Sequence, residues 1–416
     1  MAASFIDPAD GRRFAADVVT RLRDAGHETY WAGGCVRDEL LGRTPADYDV
    51  ATAATPDIVR NVFGQRRTLA IGAAFGVITV LGPKGAGQVE VATFRADAEY
   101  TDGRHPAGVT FCSAREDAKR RDFTINGLFL DPLTGEVHDF VGGRADLAAG
   151  VIRAIGVPAQ RFGEDHLRML RAIRFTAFFD FVLDSETRAA IERMAHLVTT
   201  VSPERVAAEL RAMVERTGRE RALLLLAETG LAGEVLPELA PARGPVDGDW
   251  GGKAAVVGAL DEPMLSQALA VLASDFDATT AARIAGRLRL SNHESKVLAW
   301  LHAAVAEIGQ ATDLHCRPWS VIQPWVADSR APLLADLLRA RAARGLCDAA
   351  TAAWFTAQLA RPRAEIDPHP LLTGDDLLAA GMPAGRSIGA ALAKARQLQL
   401  DSVVTTAEQA LAAVRG

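Results

Sequence analysis

The sequence is poor in lysine, cysteine and aromatic residues, and it has no surplus of positive charge. Five lysines stand against 41 arginines, and the formal net charge is −6. Residues 1–155 sum to −3, 156–230 to zero, 231–360 to −3 and 361–416 to zero. No block is basic, so a nucleic-acid partner has to be met by arginines clustered on one face. The bias of arginine over lysine fits genomic composition and is no argument for RNA by itself. Cys35, Cys112, Cys316 and Cys347 are scattered without CxxC spacing, so neither a disulfide framework nor a zinc site is suggested. No apolar run nears the roughly 20 residues a membrane span needs; Ala222 to Ala227 is the densest. The start, MAASFIDPADGRR, carries no hydrophobic signal segment. A reduced, cytoplasmic protein with no membrane partner is expected. With 49% apolar and 24% charged residues over 416 positions, the chain is globular and long enough for about two to four domains.

The stretch around which the chain is organised runs from Trp31 to Val50, WAGGCVRDELLGRTPADYDV. It reads as a strand end, a Gly33-Gly34 turn, a short helix opening at Val36, and a second strand carrying Asp47-Tyr48-Asp49. Residues two apart in a strand share a face, so Asp47 and Asp49 would present their carboxylates together. Like charges this close repel unless a cation sits between them, and clustered carboxylate oxygens suit Mg²⁺. The glycines let backbone N–H groups approach an anion, the helix start adds positive dipole, and Arg37 is placed to reach the same anion. A glycine turn before an acidic strand end is the plain alternative. The accompanying Arg37-Asp38 and Leu41-Gly42-Arg43 favour a phosphate and metal site.

Phe14, Val18 and Leu22 recur at helical spacing up to Gly26. Thr55-Pro56 is a helix start, with Thr55 as N-cap. Residues 68–94 read as a β-hairpin turning at GPKGAGQ and returning as VEVATF. There Glu90 lies on the face opposite Val89 and Val91, as a solvent-facing residue or as a third acid beside Asp47 and Asp49. Residues 95–108 form a polar loop too long for a tight turn. Ser113 to Glu116 is a capping box leading into RRDFTING, Arg120 to Gly127. A hairpin turns at Asp131 to Gly135. His138-Asp139 sits in a strand and lacks the further ligands of an HD hydrolase. From Pro158 the chain becomes helical. Arg168, Arg171 and Arg174 form one stripe, and Ser202-Pro203 opens another helix. Past Leu231 it is Ala/Leu-rich amphipathic helix with short loops, interrupted by the linker at 241–252.

Together these motifs resemble the class II tRNA nucleotidyltransferase family, CCA-adding enzymes and the similar bacterial poly(A) polymerases. The strings that carry the likeness, in family order, are GGCVRDELLGR with DYD, VEVATFR, RRDFTING, Asp139 to Gly143, and EDHLRMLRAIRF. They cover about residues 30–215, and LLTGDDLLAAGMPAGRSIGAALAKARQLQL near the end resembles the tail of CCA-adding enzymes. Gly127 departs from the family's usual alanine, which is expected to loosen a helix there.

The resemblance implies an α+β fold, with a polymerase-β-like nucleotidyltransferase head of mixed or antiparallel sheet and helices at 1–155. An all-α neck (156–230), body (231–365) and tail (366–416) would follow, the body and tail binding tRNA. It assigns Asp47 and Asp49 to Mg²⁺, and Glu90 as a third catalytic carboxylate. Gly33, Gly34 and Arg37 would take the triphosphate, and Arg121, Asp122 and Asn126 the ribose and phosphates. Residues Asp139 to Gly143 would be a hinge, and the 95–108 loop a switching element. The implied partners are tRNA, CTP and ATP, with no DNA and a monomer favoured.

Base choice follows from hydrogen-bond chemistry. Cytosine and adenine both offer an exocyclic amine beside a ring-nitrogen acceptor, whereas uracil and guanine offer a carbonyl beside N–H. A carboxylate paired with a guanidinium would accept the first pair and reject the second. Asp165 and Arg168, read as three apart on one helix, fit those roles, with Glu164 orienting Arg168; an intrahelical salt bridge is the alternative. Arg171 and Arg174 extend the nucleotide-binding stripe. The expected activity is template-free addition of C, C and A to the tRNA 3′ end. Poly(A) addition, or CC-only or A-only addition, is the near alternative; the former usually comes with a basic C-terminal extension, and 361–416 is neutral. A non-catalytic RNA-binding protein on a transferase scaffold is the distant alternative.

Overall fold

The computed structural model describes residues 7–97, 109–240, 248–308 and 314–415. Most of the expected 95–108 loop and part of the 241–252 linker lie outside the described residues. The chain divides into two compact units. One runs to Met213 and includes Arg221–Pro237; the other holds Val214–Glu220, Glu238–Pro241 and the chain from Val246 onward.

The first unit opens with α1 (Pro8–Asp24), capped by the Asp7 carboxylate accepting from the Ala9 N–H and burying Phe14, Ala15, Val18, Val19 and Leu22. Then come β1 (Thr29–Ala32), α2 (Gly34–Leu40), β2 (Asp49–Thr52), α3 (Pro56–Phe63), β3 (Thr68–Leu69), β4 (Val77–Leu81) and β5 (Gln88–Thr93). After these follow β6 (Arg95–Asp97), β7 (Val109–Phe111), α4 (Ala114–Arg120), β8 (Leu128–Leu130), β9 (Val137–Asp139) and α5 (Gly143–Ala149). Seven strands form one mixed sheet in the order β3-β4-β5-β2-β1-β8-β9, and β6 pairs with β7 separately. Alternation along β5 buries Val89 and Val91 and leaves Glu90 on the open face. On the face that carries Asp49 and Glu90, further along the strands, Ala32, Ala51, Phe94, Ala114, Ala118 and Phe129 gather between sheet and α4.

The helical part of this unit comprises β10 (Val151–Ile152), α6 (Pro158–Glu164), α7 (Leu167–Phe179), β11 (Val182–Leu183), α8 (Ser185–Met194) and α9 (Pro203–Val214). Helical periodicity gave no sign of the parallel β10–β11 pair, whose strands are two residues each. The second unit is helical from Trp250–Ala259 to Ala407–Arg415, with no strand among the described residues. Near its end Leu372, Leu377, Ala391, Ala395, Val404 and Ala410 gather into a cluster.

Several local expectations change. β2 starts at Asp49, and Asp47 lies in a bend ahead of it. The cause is β1, whose pairing with β2 ends at Trp31↔Val50 because the chain turns away at Gly33, leaving nothing for Asp47 to pair with. α2 opens at Gly34 rather than Val36. Thr55 precedes α3 as expected but makes no side-chain cap bond. Gly127 loosens no helix: it follows the short turn Thr124–Asn126, and a Cβ there would lie 2.6 Å from Val141 Cγ2. Most consequential, Asp165 and Arg168 do not share a helix. α6 ends at Glu164, Asp165 is extended, and α7 begins at Leu167, whose N–H the Asp165 carboxylate accepts at 3.1 Å. A carboxylate that accepts from the backbone N–H two residues on competes with the helical ladder and interrupts it.

Candidate active site

Asp49 is the first residue of β2, and register places it directly opposite Glu90 on β5, which in turn faces Thr79 on β4. Both acids reach solvent, yet protein surrounds the Asp49 carboxylate on most sides. Its pKa is pushed up to about 6, by desolvation first and then by the charges of Asp47 and Glu90, with Arg121 the counterweight. Such uncompensated carboxylate charge, offered by hard oxygen donors, fits a divalent cation held by Asp47 and Asp49. Among the described residues no three His, Cys, Asp or Glu side chains are gathered as a ready-made metal cluster. Glu90 therefore stands opposite Asp49 without closing a three-carboxylate cage.

Gly33 has φ 76°, a left-handed conformation that glycine adopts without strain. A Cβ there would come within 2.9 Å of Arg121 Nη1, so the missing side chain lets the guanidinium lie against the turn. The Arg121 Nε and Nη2 donate to Asp117 Oδ2 at 3.1 and 3.0 Å. Arg37 is buried, on α2 behind the glycines. Its Nη1 donates to Asn126 Oδ1 at 2.7 Å, its Nε to Asp38 at 2.9 Å, and its plane lies 4.6 Å from the Phe179 ring centre. It thus supports the turn from beneath, and Arg121 is the arginine beside Gly33.

From Arg37 a polar chain continues into the helices. Asn126 Nδ2 donates to Asp122 Oδ1 at 3.0 Å, and Asp122 Oδ2 accepts from Arg171 Nε and Nη2 at 2.9 and 2.7 Å. Arg174 donates to Glu209 Oε2 at 2.6 Å, and Arg171 lies 3.8 Å from the other oxygen of Glu209. Burial opposes the charged form of Asp122, but Arg171, Asn126 and the Phe123 N–H outweigh it and hold the pKa at about 2. Asp139 accepts from the backbone N–H groups of Val141, Gly142, Gly143 and Arg144, which ties the expected hinge into a fixed turn in this conformation.

Among the described residues no ion pair joins Asp165 to Arg168. Asp165 Oδ2 accepts from Arg205 Nη2 at 2.7 Å. Arg168 Nη1 donates to Glu164 at 2.5 Å and to the Arg161 carbonyl at 2.9 Å, while Nη2 donates to the Arg120 carbonyl at 3.1 Å. A guanidinium has five N–H donors, so Arg168 retains two beyond these bonds. Sequence reading missed Asp117, Arg161, Arg205 and Glu209, which hold the arginines and Asp165. Their spacing is ordinary amphipathic helix, and only the tertiary fold reveals their partners.

Residues 29–153 match the model described as the poly A polymerase head domain, and residues 180–243 the one described as a probable RNA and SrmB-binding site of polymerase A. A CCA-adding enzyme of Bacillus pumilus is 42% identical over 226 residues, 54% of this chain and 55% of that one. Another from a Geobacillus species is 43% identical over 218 residues, 52% of this chain and 53% of that one. The match thus spans about half the length of these curated relatives. A solved CCA-adding enzyme of Bacillus stearothermophilus in complex with CTP shares 27% identity over 97% of each chain, with a TM-score of 0.75. One of Thermotoga maritima complexed with tRNA, 20% identical over 97% of this chain and 94% of that one with a TM-score of 0.68, shares the fold. The mixed sheet is accordingly a polymerase-β-like nucleotidyltransferase head followed by helices. Over the head and the helices that follow it, the chain is thus similar to tRNA nucleotidyltransferases and bacterial poly(A) polymerases.

Proposed function

We propose that this chain adds C, C and A to the 3′ end of tRNA, transferring NMP from CTP and ATP without a nucleic-acid template and releasing pyrophosphate. The observation that carries the proposal is the strand register that sets Asp49 against Glu90 beside the Gly33 turn and Arg121. CCA-adding enzymes of this polymerase family are metal-dependent nucleotidyltransferases. Here Mg²⁺ is the proposed ion, held by Asp47 and Asp49 with Glu90 as a neighbouring carboxylate. When bound, it would lower the pKa of the RNA 3′-hydroxyl and neutralise charge on the leaving pyrophosphate.

The chain's own residues supply the rest. Gly33, Gly34 and Arg121 receive the triphosphate, with Arg37 bracing the turn from below. Asp122 and Asn126 face the ribose side and join the head to Arg171. Asp165 accepts from the exocyclic amine of C or A, and Arg168 donates to the adjacent ring nitrogen. Arg205 and Glu164 fix those two groups separately, so the pair is set by its neighbours rather than by mutual attraction. Four unpaired cysteines support a reducing, cytoplasmic setting. Among the described residues no helix is long and apolar enough to cross a membrane.

The test is incubation with tRNA lacking its 3′ end, supplying CTP and ATP separately and together. Two C residues with CTP alone and a completed CCA with both are expected. Long tails from ATP alone would assign poly(A) addition, and no extension with any nucleotide would overturn the proposal.

A further inference from the structure

We infer that Asp117 is a positioning residue for nucleotide binding, acting through Arg121 and through the main chain of Arg120. This rests on the function proposed above. Asp117 lies on α4 with 1% of its surface exposed. Its Oδ2 accepts from Nε and Nη2 of Arg121 at 3.1 and 3.0 Å. Its Oδ1 accepts from Arg120 Nε at 2.9 Å and from the Arg95 N–H, at the start of β6, at 3.2 Å. One buried carboxylate therefore ties together two consecutive arginines and a strand of another sheet.

Each tie leads somewhere different. Arg121, so held, lies against Gly33, where a Cβ would stand 2.9 Å from its Nη1. Arg120, at the last residue of α4, turns its carbonyl to Arg168 Nη2 at 3.1 Å. The phosphate side and the base side of the site thus share one anchor. Stability alone gives a weak reason for this arrangement, because burying an ion pair costs about as much desolvation as its attraction returns. Aiming two cations in fixed directions is what a buried two-oxygen acceptor does well. Burial works against the charge of Asp117, and Arg121 and Arg120 keep its carboxyl below the ordinary range.

The test is Asp117→Asn, which keeps shape and the acceptor for Arg95 but loses the charge. CTP affinity by calorimetry should fall about tenfold, the effect of removing one charge-assisted hydrogen bond. KM for CTP and ATP should rise in parallel, with kcat and tRNA affinity near wild type and weaker discrimination of CTP from UTP. In an Arg121→Ala background the further loss of CTP affinity on Asp117→Asn should shrink severalfold, while the weaker discrimination of CTP from UTP, which runs through Arg120 and Arg168, should remain. A lower Tm with unchanged CTP affinity, or losses that multiply independently of Arg121→Ala, would overturn the inference. Asp117→Glu is the second variant, keeping the charge in a tighter space. CTP affinity within about threefold of wild type despite a lower Tm supports the inference, and a tenfold loss that tracks Tm overturns it. Wild-type protein that binds CTP but does not extend tRNA would sink the proposed function and leave this test standing. Wild-type protein that binds no nucleotide would overturn both.

Discussion

Asp122 and Arg171 form a two-point ion pair, with Nε and Nη2 of the guanidinium 2.9 and 2.7 Å from one carboxylate oxygen. The pair joins the RRDFTING turn of the head to α7, with Asn126 and Arg37 behind it and Glu209 beyond it. It is the point at which the RRDFTING turn and the arginine stripe become one polar network.

Removing one member should expose its cost. Arg171→Ala strands a buried carboxylate, and a loss of about 2–4 kcal/mol is expected at pH 7, discounted for the partial exposure of Arg171. Asp122 has a folded pKa of about 2, below the ordinary value near 4, so its pairing stabilises the fold above about pH 4. That stability is lost as pH falls through 2. Urea unfolding should therefore show a gap between wild type and Arg171→Ala that is full at pH 7 and narrows from pH 4 to pH 2.5. A gap of the same size at every pH would mean that packing, not charge, is lost.

Part of this network was legible in the sequence. Asp49 and Glu90 follow from strand alternation, and Asp122, Asn126 and Arg171 from the motif strings. The break at Asp165 was not, because RFGEDHLRML contains nothing that forbids a continuous helix apart from Gly163; the deciding interaction is a carboxylate choosing the Leu167 N–H. Arg37 read as an open phosphate ligand, and only the packing of Phe175 and Phe179 around it shows a buried brace. Asp117 stands beside Glu116 of the capping box and looks like a second acid in a solvated first turn. Its burial depends on β6 and α4 meeting, which local sequence does not encode.

Two glycines should respond differently to alanine. At Gly143 a Cβ would lie 2.1 Å from the Thr124 carbonyl oxygen, a backbone atom that cannot turn aside. Gly143→Ala should cost about 2–3 kcal/mol. At Gly127 the obstacle is the Val141 side chain at 2.6 Å, so Gly127→Ala should cost about 1 kcal/mol and the double change with Val141→Ala should recover most of it. Thermal unfolding of the three variants checks this, and equal losses at both glycines would contradict it.

Base choice should depend on Arg168 and on Asp165 separately. Arg168→Ala removes a charged donor, worth roughly 1.5–3 kcal/mol, so incorporation of CTP and ATP should fall about 10- to 150-fold. Asp165→Arg with Arg168→Asp reverses the donor–acceptor order and should move preference towards UTP and GTP. Because Asp165 also holds Arg205, the exchange should be followed by Tm as well as by misincorporation with each NTP alone. An unchanged ratio of CTP to UTP use in both variants would place base choice elsewhere.

Asp49 should trade stability for chemistry. Its folded pKa of about 6 lies above the ordinary value near 4, so the charged form is disfavoured in the fold. The cost is absent below about pH 4, grows between 4 and 6, and is full above 6. With metal chelated, Asp49→Asn should raise stability at pH 8 by on the order of 1 kcal/mol after screening by solvent, or about 1–3 °C in Tm, and by nothing at pH 3.5. A gain at pH 3.5 equal to that at pH 8 would show that charge repulsion is not its source.

The proposed function places catalysis on Asp49, the first residue of β2, and on Asp47 in the bend ahead of it, and the most direct measurement is single-turnover CMP transfer to tRNA lacking its 3′ end. Asp47→Asn and Asp49→Asn should each slow transfer by several orders of magnitude with Mg²⁺ present, on the order of 4 kcal/mol or more of transition-state stabilisation. Their affinity for the tRNA should stay close to wild type, because these carboxylates are given no part in holding the RNA. Transfer at near wild-type rate by either variant would contradict the assignment.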